Sequence, residues 1–460
     1  MTNTTENIVA EFYQDHYKMA DGKIAVPAQC HYLNMEQKEV LVFSTNLAMA
    51  TARSGINLFI DNIGYLLLTG TILFWLYVLY KSYLSPPIYV KELTDIGFEH
   101  ISGKRDRAMN INRVQSAKQL GNKLPPPYPN GWFAVAESRD LKVGKMVSVD
   151  ALGLNLCVYR GEDGVARCVE AYCPHLGANL AIGGTVSGSC ITCPFHQWRF
   201  NADGQCVGIP NVATVPAGIS IKKYHTMEVD GAVWVWHDAE GRDPLWKVPE
   251  VPEMKYMSFR GRNEFMINAH IQEIPENGAD VAHLNALHST SMLTDIGNRI
   301  PMLQNIIGQH IWAAEWCRGE KAHEAHILIE HKYIVLKYDV FPMKVAVTQI
   351  GPSHVRLHFE SPLGSLLVAQ SVTPLSPLLQ RVVTRVFTPN YNAVFGAFTV
   401  LAEAVQFKRD VAIWNSKRYV SAPAYVRSDK TIRAFRAWFM QFYSESSISL
   451  KQAMQKPLDW

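Results

Sequence analysis

The feature that most constrains this chain is a pair of short segments, Cys173-Pro174-His175 and Cys193-Pro194-Phe195-His196, with seventeen residues between them. Two thiolates and two imidazoles can hold a zinc ion or an iron–sulfur cluster. Zinc sites usually draw like ligands from one segment, Cys with Cys and His with His. Here each segment offers one of each. That arrangement suits two iron atoms, one on the two sulfurs and one on the two imidazoles, with both loops gripping from the same end. Leu176-Gly177 and Gln197-Trp198 follow the ligands and supply tight, apolar cover.

Six of the eight cysteines fall between residues 157 and 206. In a chain of 460 residues with histidines interleaved, this reads as metal binding in a reducing compartment rather than as a disulfide framework. Cys168, Cys190 and Cys206 are assigned to core or loop positions. A hydrophobic content of 48% with 18% charged residues supports a substantial folded core. The net charge of +3, without a basic stripe interleaved with aromatics, gives no argument for a nucleic-acid partner.

Residues Asn62 to Tyr80 form a run of nineteen residues without a formal charge, bounded by Asp61 and Lys81. A helical bilayer span needs roughly 20 mostly apolar residues, and Trp75, Tyr77 and Tyr80 suit an interfacial aromatic belt. The run begins too late for a cleavable signal peptide; a buried core helix is the alternative. Pro86 and Pro87 end it. Arg53 flanks the front, whereas Lys81, Lys91, Lys104, Arg105 and Arg107 follow. The positive-inside rule therefore predicts a cytosolic C-terminal part.

Five regions follow: an N-terminal segment (1–55), a transmembrane anchor (56–83), a Pro-rich linker (84–129), a small antiparallel β domain (130–240) and a mixed α+β region (241–460). The linker ends in the stiff run Leu124-Pro125-Pro126-Pro127-Tyr128-Pro129. WFAVAE, KMVSVDALGLNLCVYR, GVARCVEAYC and GAVWVWHD read as strands of the β domain. Pro-rich residues 241–253 mark a boundary. Beyond it, HILIEHKYIVLKYDV, KVAVTQI, HVRLHFE and SLLVAQSVTP read as successive strands, and residues 392–418 as one long helix.

A second candidate centre lies between Glu276 and His288. Two histidines and one carboxylate on one face of Fe(II) leave positions open for dioxygen. Asp280 and His283, three apart, share a helix face. His283 and His288 are five apart, about 140° around an ideal helix. The helix must bend or end between them if both are to reach one metal. A histidine pair in isolation is as readily structural as metal-binding.

The spacing Asn277-x2-Asp280-x2-His283-x4-His288 resembles the mononuclear-iron motif of the Rieske oxygenase family. That resemblance implies a 2Fe-2S Rieske cluster on Cys173, His175, Cys193 and His196, and a mononuclear Fe(II) on His283 and His288. It makes Asp280 a carboxylate bridging a cluster histidine to the iron, with Asn277 as a further catalytic-site residue. The third iron ligand is a carboxylate on a late helix. Asp410, in Asp-Val-Ala-Ile-Trp, is the choice; Glu403, seven residues earlier on nearly the same face, competes. Rieske electron carriers have an extra cysteine pair at the positions of Ala178 and Phe195, so the oxygenase branch is the better match.

With PPPYPNGW at 125–132, the order of segments resembles animal Rieske sterol 7-desaturases, and the catalytic motifs resemble bacterial 3-ketosteroid hydroxylases. The likeness covers roughly residues 60 to 430. It implies a helix-grip-like α+β catalytic domain and conversion of cholesterol to 7-dehydrocholesterol in steroid hormone synthesis. The strands from 322 to 376 would form much of the sterol pocket. It also implies a single-pass endoplasmic reticulum protein and a homotrimer. No G-x-G-x-x-G follows a strand and no plant-type ferredoxin motif occurs, so electrons from NAD(P)H are expected through a separate reductase. The alternatives are a Rieske hydroxylase of another sterol or lipid, or a membrane-bound electron carrier.

Overall fold

The structure is a computed structural model, and it describes residues 35–98, 101, 106–107, 110–111, 124–291, 308–336 and 338–455. Cys30, Lys104 and Arg105 lie outside the described residues. The chain separates into two units, one ending at Leu76 and one beginning at Tyr77.

A single helix, α1 (Met35–Tyr83), begins well before the anchor boundary drawn at residue 56. Its Asn62–Tyr83 portion is long and apolar enough to cross a membrane. Leu67, Leu73 and Tyr77 on this portion are exposed.

In the second unit, β1 (Ile88–Lys91) pairs in parallel with β13 (Ser258–Asn268), so residues 84–129 are more than a connector. Four residues directly after Pro86-Pro87 are too few for alternation to reveal a strand.

The β domain is built from β2 (Gly131–Glu137), β3 (Met146–Ala151), β4 (Leu154–Arg160), β5 (Ala166–Glu170), β6 (Thr185–Ser187), β7 (Cys190–Thr192), β8 (Arg199–Phe200), β9 (Cys206–Gly208), β10 (Lys223–Tyr224), β11 (Thr226–Val229) and β12 (Ala232–His237). Among the described residues they form three antiparallel sheets, ordered β10-β5-β4-β3, β11-β12-β2 and β6-β7-β8-β9. Strand β2 is buried along its whole length, because it is covered on both sides. Val135 packs inside the β domain, while Ala134 O accepts a bond from Thr373 Oγ1 of the neighbouring large sheet. A strand covered on two faces reads as a continuous apolar run, as WFAVA does.

The large sheet contains β1, β13, β14 (Gln309–Arg318), β15 (Glu324–Val335), β16 (Tyr338–Asp339), β17 (Met343–Ile350), β18 (His354–Ser361), β19 (Gly364–Ser376) and β20 (Leu379–Thr388). Among the described residues its order is β1-β13-β20-β19-β18-β17-β15-β14, with β16 paired to β15. Short helices α2 (Glu273–Glu276) and α3 (Val281–Leu287) leave β13, and α4 (Ala393–Trp414) lies across β13 and β20. Ala393, Ala397, Val400, Ala404, Phe407, Val411 and Trp414 recur every three or four residues and are buried. Gly396 permits the close approach: a Cβ there would lie 2.7 Å from Arg260 Cγ and from Thr388 Cγ2. Helices α5 (Lys430–Phe439) and α6 (Leu450–Gln455) complete the chain.

Buried ion pairs tie the β domain to the large sheet. Glu137 on β2 receives Arg385 Nε and Nη2 of β20, both at 2.6 Å. Burial raises the Glu137 pKa, but Arg385, Arg381 and Arg262 more than offset it, and the carboxyl ends below its ordinary value. Asp230 similarly accepts from His354 Nε2 at 2.8 Å and Arg356 Nε at 2.6 Å. A cleft of about 570 Å³ at this junction is lined by Glu137, Asp140, Lys145 and Arg381 among others. Its charged rim and lack of any histidine set it apart from the metal centres.

Candidate metal centres

The first centre is formed by two loops with the same local plan. After Cys173, Gly177 N–H returns to Cys173 O at 2.9 Å; after Cys193, Gln197 N–H returns to Cys193 O at 3.1 Å. Cys173 N–H donates to Ala178 O and Cys193 N–H to Trp198 O, closing each loop. The fourth residue after each cysteine is left-handed: Gly177 has φ of 73° and Gln197 of 59°. Glycine accommodates this readily, whereas glutamine does so at a steric cost.

Cys173 and Cys193 are both 2% exposed, whereas His175 is exposed and His196 partly so. The imidazoles sit edge to face, centroids 4.5 Å apart, and Trp198 stacks on His175 at 4.4 Å. Burial, reinforced by the neighbouring Cys193, pushes the Cys173 thiol up to about 11. A metal ion bound there would favour the Cys173 thiolate that burial opposes. Among the described residues, the group whose donors lie within 4.8 Å of one another is His283, His288 and Asp410, not this quartet. One tetrahedral zinc would draw its four donors closer than that. An inner sulfur pair and an outer imidazole pair fit a two-iron cluster.

The second centre is assembled from α3 and α4. Asp280 is the N-cap of α3, its Oδ1 accepting from His283 N–H at 3.2 Å. His283 Nδ1 also contacts Asp280 O closely, which leaves Nε2 as the metal-facing atom. The helix ends at Leu287 and His288 is its C-cap. That ending resolves the angular mismatch between the two histidines: their rings stand edge to face with centroids 5.3 Å apart.

Asp410, 7% exposed on α4, completes the group. Its Oδ1 and Oδ2 lie 3.2 and 3.1 Å from His288 Nε2. Asn277 Nδ2 donates to Asp410 Oδ1 at 3.1 Å. Glu403 is turned to other partners: Asn263 of β13 donates to its Oε2, and Thr384 of β20 to its Oε1 at 3.5 Å. Burial pushes Glu403 up to about 7, with the negative charge of Asp410 adding to the rise. Two imidazoles and one carboxylate from two helices match the facial set used for non-haem Fe(II).

Several residues around this centre carried no signal in the sequence. Asn285 holds both the N–H and the carbonyl of Trp312 on β14, at 2.9 and 2.7 Å, and Trp312 Nε1 donates to His288 O at 3.1 Å. His310 and His331 share a proton at 2.7 Å beside it. Burial pushes them down to about 4 and about 3, so both are neutral.

The Rieske 2Fe-2S domain family matches residues 131–225, and the 3-ketosteroid 9alpha-hydroxylase C-terminal domain family matches residues 235–443. In fold, the chain is similar to dicamba monooxygenase bound to 3,6-dichlorosalicylic acid, with a TM-score of 0.52 at 18% identity over 68% of this chain and 97% of that one. In sequence, it is 62% identical to cholesterol 7-desaturase nvd of Bombyx mori over 84% of this chain and 85% of that protein. It is 40% identical to the Drosophila melanogaster protein of the same name, over 75% and 81%. With a Rieske domain, a 3-ketosteroid hydroxylase-type C-terminal domain and this degree of identity, the chain belongs to the cholesterol 7-desaturase family of Rieske oxidoreductases.

Proposed function

We propose that this protein is an oxygen-dependent sterol 7-desaturase that converts cholesterol to 7-dehydrocholesterol for steroid hormone synthesis. The observation that carries the reading is the pairing of the Cys173/His175/Cys193/His196 loops with the His283, His288 and Asp410 group in a chain 62% identical to a cholesterol 7-desaturase. Cys173 and Cys193 would hold one iron of the cluster and His175 and His196 the other. His283, His288 and Asp410 would hold the mononuclear iron. When bound, these groups supply single electrons and an oxygen-activating site able to remove hydrogen from C7.

The chain's own residues fix that site. Asn277 keeps Asp410 pointed at the histidines. Asp280 spends Oδ1 on the cap of α3, so Oδ2 is the atom that would meet a cluster histidine. The overall reaction balances as cholesterol, O2, NAD(P)H and a proton giving 7-dehydrocholesterol, NAD(P)+ and two waters. Neither nicotinamide nor flavin motifs occur in the sequence, which supports a separate NAD(P)H-dependent reductase.

Exposed apolar side chains along Asn62–Tyr83 support a single membrane span. The basic residues after it favour a cytosolic catalytic part on the endoplasmic reticulum membrane. A membrane location suits a substrate that dissolves in lipid. A head-to-tail homotrimer, in which each cluster serves the neighbouring iron, completes the proposal; heterologous contacts of that kind close into rings.

Membranes carrying the full chain, given labelled cholesterol, NADPH and oxygen, should form a conjugated 5,7-diene with its own ultraviolet absorption. A C7 alcohol as the sole product would instead assign a hydroxylase.

A further inference from the structure

We infer that Gln406, with its amide orientation locked by Arg409, is a positioning residue that sets the tautomer of His288 and so opens Nε2 to the mononuclear iron. The inference rests on reading His288 and Asp410 as iron ligands.

Gln406 lies four residues before Asp410 on α4, one turn away on the same side of the helix. Its Oε1 is 3.1 Å from His288 Nδ1. A glutamine amide can face either way, and its two ends are told apart only by their partners. Here the partners decide. Arg409 Nη1 donates to Gln406 Oε1 at 2.7 Å, and guanidinium has no acceptor to offer. The other end, Nε2, faces Thr290 O at 3.5 Å. A flipped amide would set N–H against guanidinium and oxygen against carbonyl, two repulsions at once.

With Oε1 fixed as the acceptor, His288 Nδ1 must carry the hydrogen. With the hydrogen on Nδ1, the Nε2 lone pair is the one a metal would take, and it lies 3.2 and 3.1 Å from the Asp410 oxygens. That spacing lets Nε2 and a carboxylate oxygen reach one metal ion together with His283. Ligating histidines generally owe their orientation to what the second nitrogen binds. Arg409 does more than orient the amide: it also donates to Leu287 O at 3.3 Å, Thr290 O at 2.8 Å and Ser291 O at 3.4 Å. A positive group at the end of α3 suits its terminal carbonyls. One turn of α4 thus carries Asp410 and holds the backbone around His288.

The test is Fe(II) affinity of the mononuclear site in the full chain, by chelator competition, with the Rieske visible spectrum as the check on folding. Gln406→Leu should weaken iron binding about 10- to 100-fold with the spectrum unchanged. Gln406→Glu, which accepts at either oxygen, should bind within a few-fold of wild type. Arg409→Leu should weaken binding, and adding Gln406→Glu should restore most of it, because a carboxylate has no wrong orientation. Wild-type affinity in Gln406→Leu would overturn the proposal. Failure of Gln406→Glu to rescue Arg409→Leu would reduce Arg409 to a helix cap and overturn its part. Asp410→Ala separates the two readings: if it keeps its iron, the ligand assignment fails; if it loses iron while Gln406→Leu does not, only this inference fails.

Discussion

Asn277 Nδ2 donates to Asp410 Oδ1 across 133 residues of sequence, at 3.1 Å. The bond joins the turn that precedes α3 to the last turns of α4, and so ties together the two helices that carry the histidines and the carboxylate. Removing it frees Asp410 to rotate away. Asn277→Ala should lower turnover about 10- to 100-fold, with the cluster spectrum intact, measured as diene formed per Rieske centre. Asn277→Asp should be worse, since it sets two carboxylates against each other.

Glu403 gives a pH signature when the mononuclear site is metal-free. Burial holds its folded pKa at about 7, above an ordinary 4.5. The folded state therefore binds this proton more tightly than the unfolded state. Its stability contribution is complete below pH 4.5 and is lost as pH rises towards 7. The loss should be about 2 kcal/mol, below the full value of the shift because the residue keeps some contact with solvent. Denaturation of Glu403→Gln should lack this slope between those limits.

The junction between the β domain and the large sheet depends on Glu137 and Arg385. Arg385 is fully buried and bidentate to Glu137. Arg385→Leu leaves a buried carboxylate short of its main partner and should cost about 3–5 kcal/mol. Glu137→Gln with Arg385→Met should recover much of that. Urea denaturation of the single and double variants checks both outcomes.

Much of this was legible in the sequence where the chemistry is local. The cluster loops announce themselves because all four ligands, two cysteines and two histidines, lie within 24 residues. Gly177 signals its left-handed turn; Gln197, with φ of 59° at the equivalent place, does not. Strands β15, β17, β18 and β19 and α4 follow from periodicity, whereas the run 326–340, read as one strand, is divided between β15 and β16. The choice between Asp410 and Glu403 could not, because seven residues return a helix to the same face. What separates them is Asn263 and Thr384, brought to Glu403 by the pairing of β13 with β20. Strand β1 and the Gln406–Arg409 pair were hidden for the same reason: each gains its meaning from a partner far away in sequence.

The proposed ring of subunits makes a complementation prediction. Cys173→Ser chains lack a complete cluster and Asp410→Ala chains lack an iron ligand, so each alone should be inactive. Mixed oligomers should recover part of the wild-type activity, because one intact cluster can face one intact iron site. Absence of recovery in demonstrably mixed oligomers would place electron transfer within one chain.

Iron content tests the two-centre account most directly. The purified full chain should hold about three iron atoms, two in the cluster and one at His283, His288 and Asp410. Asp410→Ala should hold about two, with the Rieske spectrum unchanged. Two irons in the wild type, or three in Asp410→Ala, would contradict the assignment.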